Sequence, residues 1–102
     1  MNWRLVFRPE VEQDVTQAAA WYEARQSGLG GEFVEEVIRV WDWLATDPLL
    51  NARHDPAKNV RWRFTDRFPY RVLYEAFEVE RTVVVVAVLH AARHDRHWRK
   101  RL

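Results

Sequence analysis

The chain reads as a two-layer α+β domain: an N-terminal strand, an αα-hairpin, an antiparallel three-strand meander and a short basic C-terminal tail. Three observations predict it. Apolar residues recur at helical spacing across two segments in the first half, joined through Ser27-Gly28-Leu29-Gly30-Gly31. Three strand-like runs follow in the second half. The last of these, Thr82-Val-Val-Val-Val-Ala-Val-Leu89, is apolar on both faces and therefore belongs inside a sheet. Runs of helix followed by runs of strand, rather than strict alternation, point to α+β with helices on one sheet face.

Each element has its local reason. Trp3-Arg4-Leu5-Val6-Phe7 alternates well enough for a strand. Pro9 suits a helix start, where its missing N–H costs nothing. Glu10, Glu12 and Asp14 then sit near the positive end of the helix dipole. Val11, Val15, Ala18 and Tyr22 carry this first helix to about Gln26, and the glycine cluster after Ser27 reads as its stop. A second helix is expected from near Glu32, with Phe33, Val37, Val40, Trp41 and Leu44 in one stripe and Val34, Ile38 and Ala45 widening it, until Asp47-Pro48. A short turn between two helices makes them a hairpin.

The stretch from Leu49 to Asn59, with Asn51, His54, Asp55 and Pro56, is irregular. Val60-Arg61-Trp62-Arg63-Phe64-Thr65 alternates strictly, so Arg61 and Arg63 lie on the face opposite Trp62 and Phe64. The tryptophan and phenylalanine are expected under the helices and the arginines on the uncovered face. Asp66-Arg67-Phe68-Pro69 turns the chain into a strand from Tyr70 to Glu78, and Val79-Glu80-Arg81 into one from Thr82 to His90. The first strand is expected beside the last.

A chain of 102 residues is one domain, residues 1–102, and buries roughly 60–65% of its extended surface. Its 48% hydrophobic content argues against disorder. No apolar run approaches the ~18 residues of a membrane span, and the N-terminus shows no secretory apolar region, so no membrane partner and a cytoplasmic location are expected. With no cysteine, disulfides and thiol nucleophiles are excluded. Net charge is only +1, but residues 1–47 hold four Arg against nine acidic residues and residues 48–102 hold twelve Arg/Lys against six. All four histidines also lie in the second half. Such asymmetry fits one face for an anionic partner, or pairing between the halves.

Four groups of residues carry chemistry. Arg61, Arg63, Arg71 and Arg93 are expected to converge on the uncovered sheet face, where guanidinium groups grip phosphates and offset charge on a phosphoryl group. His90, His94 and His97 stand at i, i+4, i+7 beside Asp95. A helical tail would align them for zinc. No independent ligand stands elsewhere, so neither metal nor cofactor is expected. His90, at a strand end, is the best placed general acid or base. Ser27 is the only serine and sits in a glycine turn, which argues against a Ser-His-Asp hydrolase, and Gly28-Leu29-Gly30-Gly31 joins helices rather than following a strand, unlike a phosphate loop. Among six tryptophans, Trp21, Trp41 and Trp43 lie on the helix hairpin. Trp43 falls off the stripe of Trp41, and exposed aromatics there would make a partner groove, the alternative being a bulky core. Trp98 stands among tail cations, able to stack on a base or to pack the tail onto the sheet.

Arg8-Pro-Glu-Val-Glu-Gln-Asp14, Ala20-Trp-Tyr-Glu23, Leu29-Gly-Gly-Glu-Phe33, Asp47-Pro48, Phe68-Pro-Tyr-Arg-Val-Leu-Tyr74 and Val88-Leu-His-Ala-Ala-Arg93 with Trp98, in this order, resemble the RelE/ParE superfamily of bacterial type II toxins. The resemblance spans nearly the whole chain. It implies a toxin of this predicted fold, encoded beside a cognate antitoxin that wraps and blocks it in a hetero-oligomer, with Trp21 and Trp43 as candidate antitoxin contacts. RelE-like members cut mRNA on the ribosome, with a basic sheet face and a C-terminal tyrosine or histidine. Here Arg61 and Arg63 match the paired basic positions, Arg71 the arginine before the second-strand tyrosine, and Arg93 the arginine after the last strand. The tyrosine is absent, with Trp98 in its neighbourhood. If the chain were a ribonuclease, His90, Arg71 and Arg93 would be its catalytic residues. ParE-like members poison DNA gyrase and are not enzymes in their own right. The Leu-His-Ala-Ala-Arg ending is closer to that branch and its plasmid-stabilisation relatives. The resemblance thus favours gyrase inhibition, with Arg61, Arg63, Arg71, Arg93, Arg96 and Trp98 as the target- or nucleic-acid-binding set. The alternatives are ribosome-dependent mRNA cleavage and a non-toxic basic domain that binds nucleic acid.

Overall fold

A computed structural model describes residues 3–51, 53, 58–93 and 96–102. The elements run β1 (Arg4–Phe7), α1 (Glu10–Arg25), α2 (Leu29–Leu44), β2 (Arg61–Phe64), β3 (Tyr70–Phe77), β4 (Thr82–His90) and α3 (Arg96–Arg99). The four strands form one sheet in the order β1-β4-β3-β2. The meander is antiparallel, β1 joins β4 in parallel, and the all-apolar β4 is internal as expected. No helix among the described residues is long and apolar enough to cross a membrane.

The αα-hairpin covers one sheet face. Phe33, Val37, Val40 and Leu44 of α2 and Val11 and Ala18 of α1 pack on Val72, Tyr74, Val83, Val85 and Val88. Their broad apolar stripe gives α2 its buried position, whereas α1 is mostly polar and buries only Val11 and Ala18. The opposite face carries a second, smaller core of Val60, Leu73, Val86, Ala87, Leu89 and Trp98, with Trp62 against it. A β-bulge between Leu73 and Tyr74 places both Val86 and Ala87 on that side.

Three sequence expectations need correction. First, α2 starts at Leu29, not near Glu32. Gly28 alone makes the turn, in the left-handed region at φ 89°. Gly30 lies inside the helix because α1 passes so close that a Cβ there would stand 2.5 Å from the Ala19 carbonyl oxygen. Second, the phase of β2 is opposite to expectation. Arg61 and Arg63 pair with Tyr74 and Val72 on the helix side, while Trp62 and Phe64 pair with Leu73 and Arg71 on the far side. The guanidinium of Arg63 stacks 3.8 Å over the Trp43 ring, so a cation stands where an apolar side chain was expected. Third, the far face is not bare. Trp98 of α3 is only 1% exposed and packs the tail onto it.

Candidate functional site: a cleft between α1, the end of β4 and the tail

β1 accompanies β4 only as far as Val85. Beyond it, α1 and the tail take over the edge of β4. The Val88 N–H donates to Asp14 Oδ2 at 3.0 Å, and Arg101 Nη1 donates to the Val86 carbonyl at 3.1 Å. Asp14 and Arg101 close on each other in a two-pronged ion pair, 2.7 and 3.1 Å. These side chains satisfy backbone groups that an uncovered strand would leave to solvent or to a foreign strand. The hydrogen bonds that Arg101 donates to Asp14, opposed by burial, push its guanidinium further toward its charged form.

This junction lies at one wall of a cleft of about 560 Å³. Glu10, Gln13, Asp14, Gln17 and Trp21 of α1 form a polar wall, recurring at the three- and four-residue spacing of one helix face. Val88, Leu89 and His90 of β4 face them, with Arg93, His97 and Arg101 from the tail. A chain of rings crosses the cleft: Trp21 to Tyr22 at 5.1 Å, Tyr22 to Tyr70 at 6.1 Å, Tyr70 to His90 at 5.4 Å. Burial raises the hydroxyl pKa of both tyrosines. The neighbouring Tyr70 raises that of Tyr22 further, and the nearby Arg93 charge pulls against burial at Tyr70. Both phenols therefore stay protonated at neutral pH.

The expected residues fall into separate groups. His90 and Arg93 meet at the cleft and both are exposed. The Ala92 N–H donates to His90 Nδ1 at 3.0 Å, which leaves the neutral ring's proton on Nε2. Arg71 is buried on the far face, 4.7 Å over the Trp62 ring, and donates to the Arg93 carbonyl at 2.9 Å. It thereby anchors the turn that presents Arg93. Arg61 donates to the carbonyls of Leu49 and Asn51 and holds that loop against the edge of the sheet. Arg63 is taken up by Trp43. Arg61, Arg63, Arg71 and Arg93 thus do not converge on one face. Of the two placements open to Trp98, the ring takes the second and packs the tail onto the sheet. Arg96 is exposed. Trp21 is 53% exposed and lines the cleft under a stacked Arg25, whereas Trp43 packs near the β2 edge, so the two do not share one groove. His94 and Asp95 lie outside the described residues. Among the described residues no three His, Asp or Glu side chains gather as a metal site would need.

Sequence reasoning missed three polar anchors. Besides Asp14–Arg101 there is Glu23, which caps α2 from α1 by accepting from the Gly28 and Gly30 N–H groups at 2.9 and 3.0 Å. There is also the buried Glu36 of α2, which accepts from the backbone N–H of Arg67 at 2.9 Å and from its Nε at 2.8 Å. Glu36 occupies an apolar-looking helix face, and a carboxylate there is the one available signal of a cationic partner. The others join residues too far apart in the chain for spacing to indicate them.

The family described as the ParE toxin of type II toxin-antitoxin system, parDE, matches residues 5–95. No curated protein matches the sequence. Among solved structures, the chromosomal ParDE toxin-antitoxin system of P. aeruginosa contains a similar chain at TM-score 0.74 and 12% identity, covering 87% of this chain and 96% of that one. The isolated E. coli RelE toxin is similar at TM-score 0.64 and 16% identity, covering 93% and 90%. A chain of the RelBE2 toxin-antitoxin complex of Mycobacterium tuberculosis is similar at 0.61 and 18%, covering 91% and 95%.

Proposed function

The chain belongs to the ParE toxin family of type II toxin-antitoxin systems, and from that premise we propose that it inhibits DNA gyrase and is neutralised by a cognate antitoxin. The observation that carries the choice of target is the dispersal of the arginines. Cleavage of RNA needs cations gathered around the scissile phosphate. Three of the four candidate arginines are engaged by the fold instead: Arg61 on the Leu49–Asn51 carbonyls, Arg63 on Trp43, and Arg71 on the Arg93 carbonyl. A protein target needs no such convergence. It needs an exposed, charged surface, and the tail offers Arg93, Arg96, Arg99 and Lys100. Binding through this basic surface would hold an acidic region of gyrase. Trp21, half exposed on α1, and Trp43 are the proposed antitoxin contacts.

A supercoiling assay with purified gyrase tests the reading. Inhibition at micromolar toxin, relieved by the protein encoded next door, is the expected result; unaffected supercoiling overturns it. One observation favours a second reading, mRNA cleavage: His90 and Arg93 share one cleft, so an acid or base and a phosphate ligand stand side by side. Primer extension on ribosome-bound transcripts after induction distinguishes the two, since a gyrase inhibitor leaves those transcripts intact.

A further inference from the structure

Toxin–gyrase contact through the tail leaves the interior of the α1–β4–tail cleft without a role. We propose that this cleft binds a nucleotide: a planar base carrying a phosphate, either free or as the terminal nucleotide of a single strand. The volume, about 560 Å³, lies in the range of small-molecule sites. Its two ends differ in chemistry. At one end stands the indole of Trp21, 53% exposed and backed by the guanidinium of Arg25 at 3.9 Å. Tyr22 meets the indole edge-on at 5.1 Å, and the exposed part of the ring offers a surface on which a base can stack. Along the α1 wall, Gln13 and Gln17 supply amides that both donate and accept, as the edge of a base requires. At the other end, Arg93 is exposed beside His90 and His97. A guanidinium with neighbouring imidazoles suits a phosphate.

The anionic groups of the cleft do not oppose this assignment. The Asp14 carboxylate is occupied by Arg101 through both oxygens and by the Val88 N–H. Glu10 stands on the first turn of α1, where its charge acts on Arg101. Tyr22 and Tyr70, phenols that are neutral at neutral pH, line the space without adding charge.

The site predicts an order of preference that a plain anion site or a plain apolar groove does not share. Titration of the isotopically labelled free toxin with adenosine 5′-monophosphate, adenosine, inorganic phosphate and a 5′-phosphorylated tetradeoxyadenylate, followed by NMR, reads it directly. The expected result is saturable binding below about 1 mM by the monophosphate or by the oligonucleotide, with shifts in Gln17, Trp21 and Arg93. Saturation by the monophosphate assigns a free nucleotide; saturation by the oligonucleotide alone assigns a strand end. Trp21→Ala and Arg93→Ala, both exposed positions that leave the core intact, should each weaken it by at least roughly fivefold, as loss of one stacking or charged contact does. No saturation by either probe overturns the proposal. So does equal binding of phosphate or adenosine alone, or binding that survives Trp21→Ala. Supercoiling inhibition is a separate measurement, so failure here leaves the gyrase reading standing and the reverse also holds.

Discussion

At the scale of single residues, two adjacent glycines make opposite predictions. Alanine is the better helix former by about 1 kcal/mol, so Gly→Ala in a helix stabilises wherever the methyl has room. At Gly31 a Cβ meets nothing within 4 Å, and Gly31→Ala should raise the unfolding free energy by roughly 0.5–1 kcal/mol. At Gly30 the same methyl would stand 2.5 Å from the Ala19 backbone oxygen and 3.0 Å from the Glu23 carboxylate. Backbone cannot yield as a flexible side chain does, and Glu23 would also lose its grip on the α2 N-terminus. Gly30→Ala should therefore cost about 1–3 kcal/mol despite the propensity gain. Urea denaturation of both variants checks the pair, and a stabilised Gly30→Ala would show that the helices do not approach as described. The Asp14–Arg101 pair is the other residue-scale anchor, with side chains 10% and 15% exposed. Arg101→Ala leaves Asp14 its Val88 N–H alone and should cost about 2–3 kcal/mol, since a largely buried charge loses its counter-charge.

At the scale of elements, α2 is pinned to the β2–β3 turn through Arg67, which the buried Glu36 and the exposed Glu32 both hold at 2.8 Å, and the Glu36 part of the pinning depends on pH. Burial alone would push the Glu36 carboxyl up, but the side-chain and backbone hydrogen bonds from Arg67, its charge, and the Asp66 backbone outweigh burial and hold it below its ordinary 4.5. A depressed carboxyl contributes stability that is present above the unfolded value and is lost as pH falls through the lower folded value. Glu75 on β3 has the reverse sign: burial, only partly offset by Arg8, raises its pKa. Its ionisation costs stability above the folded value, and that cost vanishes below pH 4.5. Glu36→Gln should flatten the acid limb of the stability profile, while Glu75→Gln should stabilise the protein at pH 7 and do nothing at pH 4. Thermal melts from pH 3 to 8 separate them. Of the elements themselves, the order, the helix hairpin and the central β4 were legible, because the apolar periods of 3.6 and 2 are strong there. The phase of β2 was not. Trp62 and Phe64 alternate with Arg61 and Arg63, and Trp43 makes the helix side hospitable to a cation, so alternation alone leaves two solutions. The start of α2 was hidden for a related reason: Gly30 serves close helix packing, which a local reading takes for a stop.

At the scale of the molecule, the tail is both a structural strap and the most cationic exposed surface, and these roles must be separated. Sequence reading set His90 at a strand end and Arg93 just past it, and both reach the cleft. It could not foresee that Trp98 would turn inward, since an aromatic among cations suits a ligand and a core equally. The strap holds through Trp98 against Val60, Leu73 and Leu89, through Arg71 on the Arg93 carbonyl, and through Arg101 on Asp14. Loss of toxicity on deleting the tail would therefore say nothing about the target, because the second core would open with it. Point variants divide the question. Trp98→Ala removes a side chain that is 1% exposed and should cost about 3–5 kcal/mol, lowering the melting temperature and toxicity together. Arg93→Ala and Arg96→Ala change exposed side chains and should keep stability within about 0.5 kcal/mol. If the tail surface contacts gyrase, these two reduce supercoiling inhibition with an unchanged melt, and raised salt weakens the wild-type effect in the same direction. Full inhibition by the double variant, at wild-type stability, would move the contact off the tail and onto the helix hairpin.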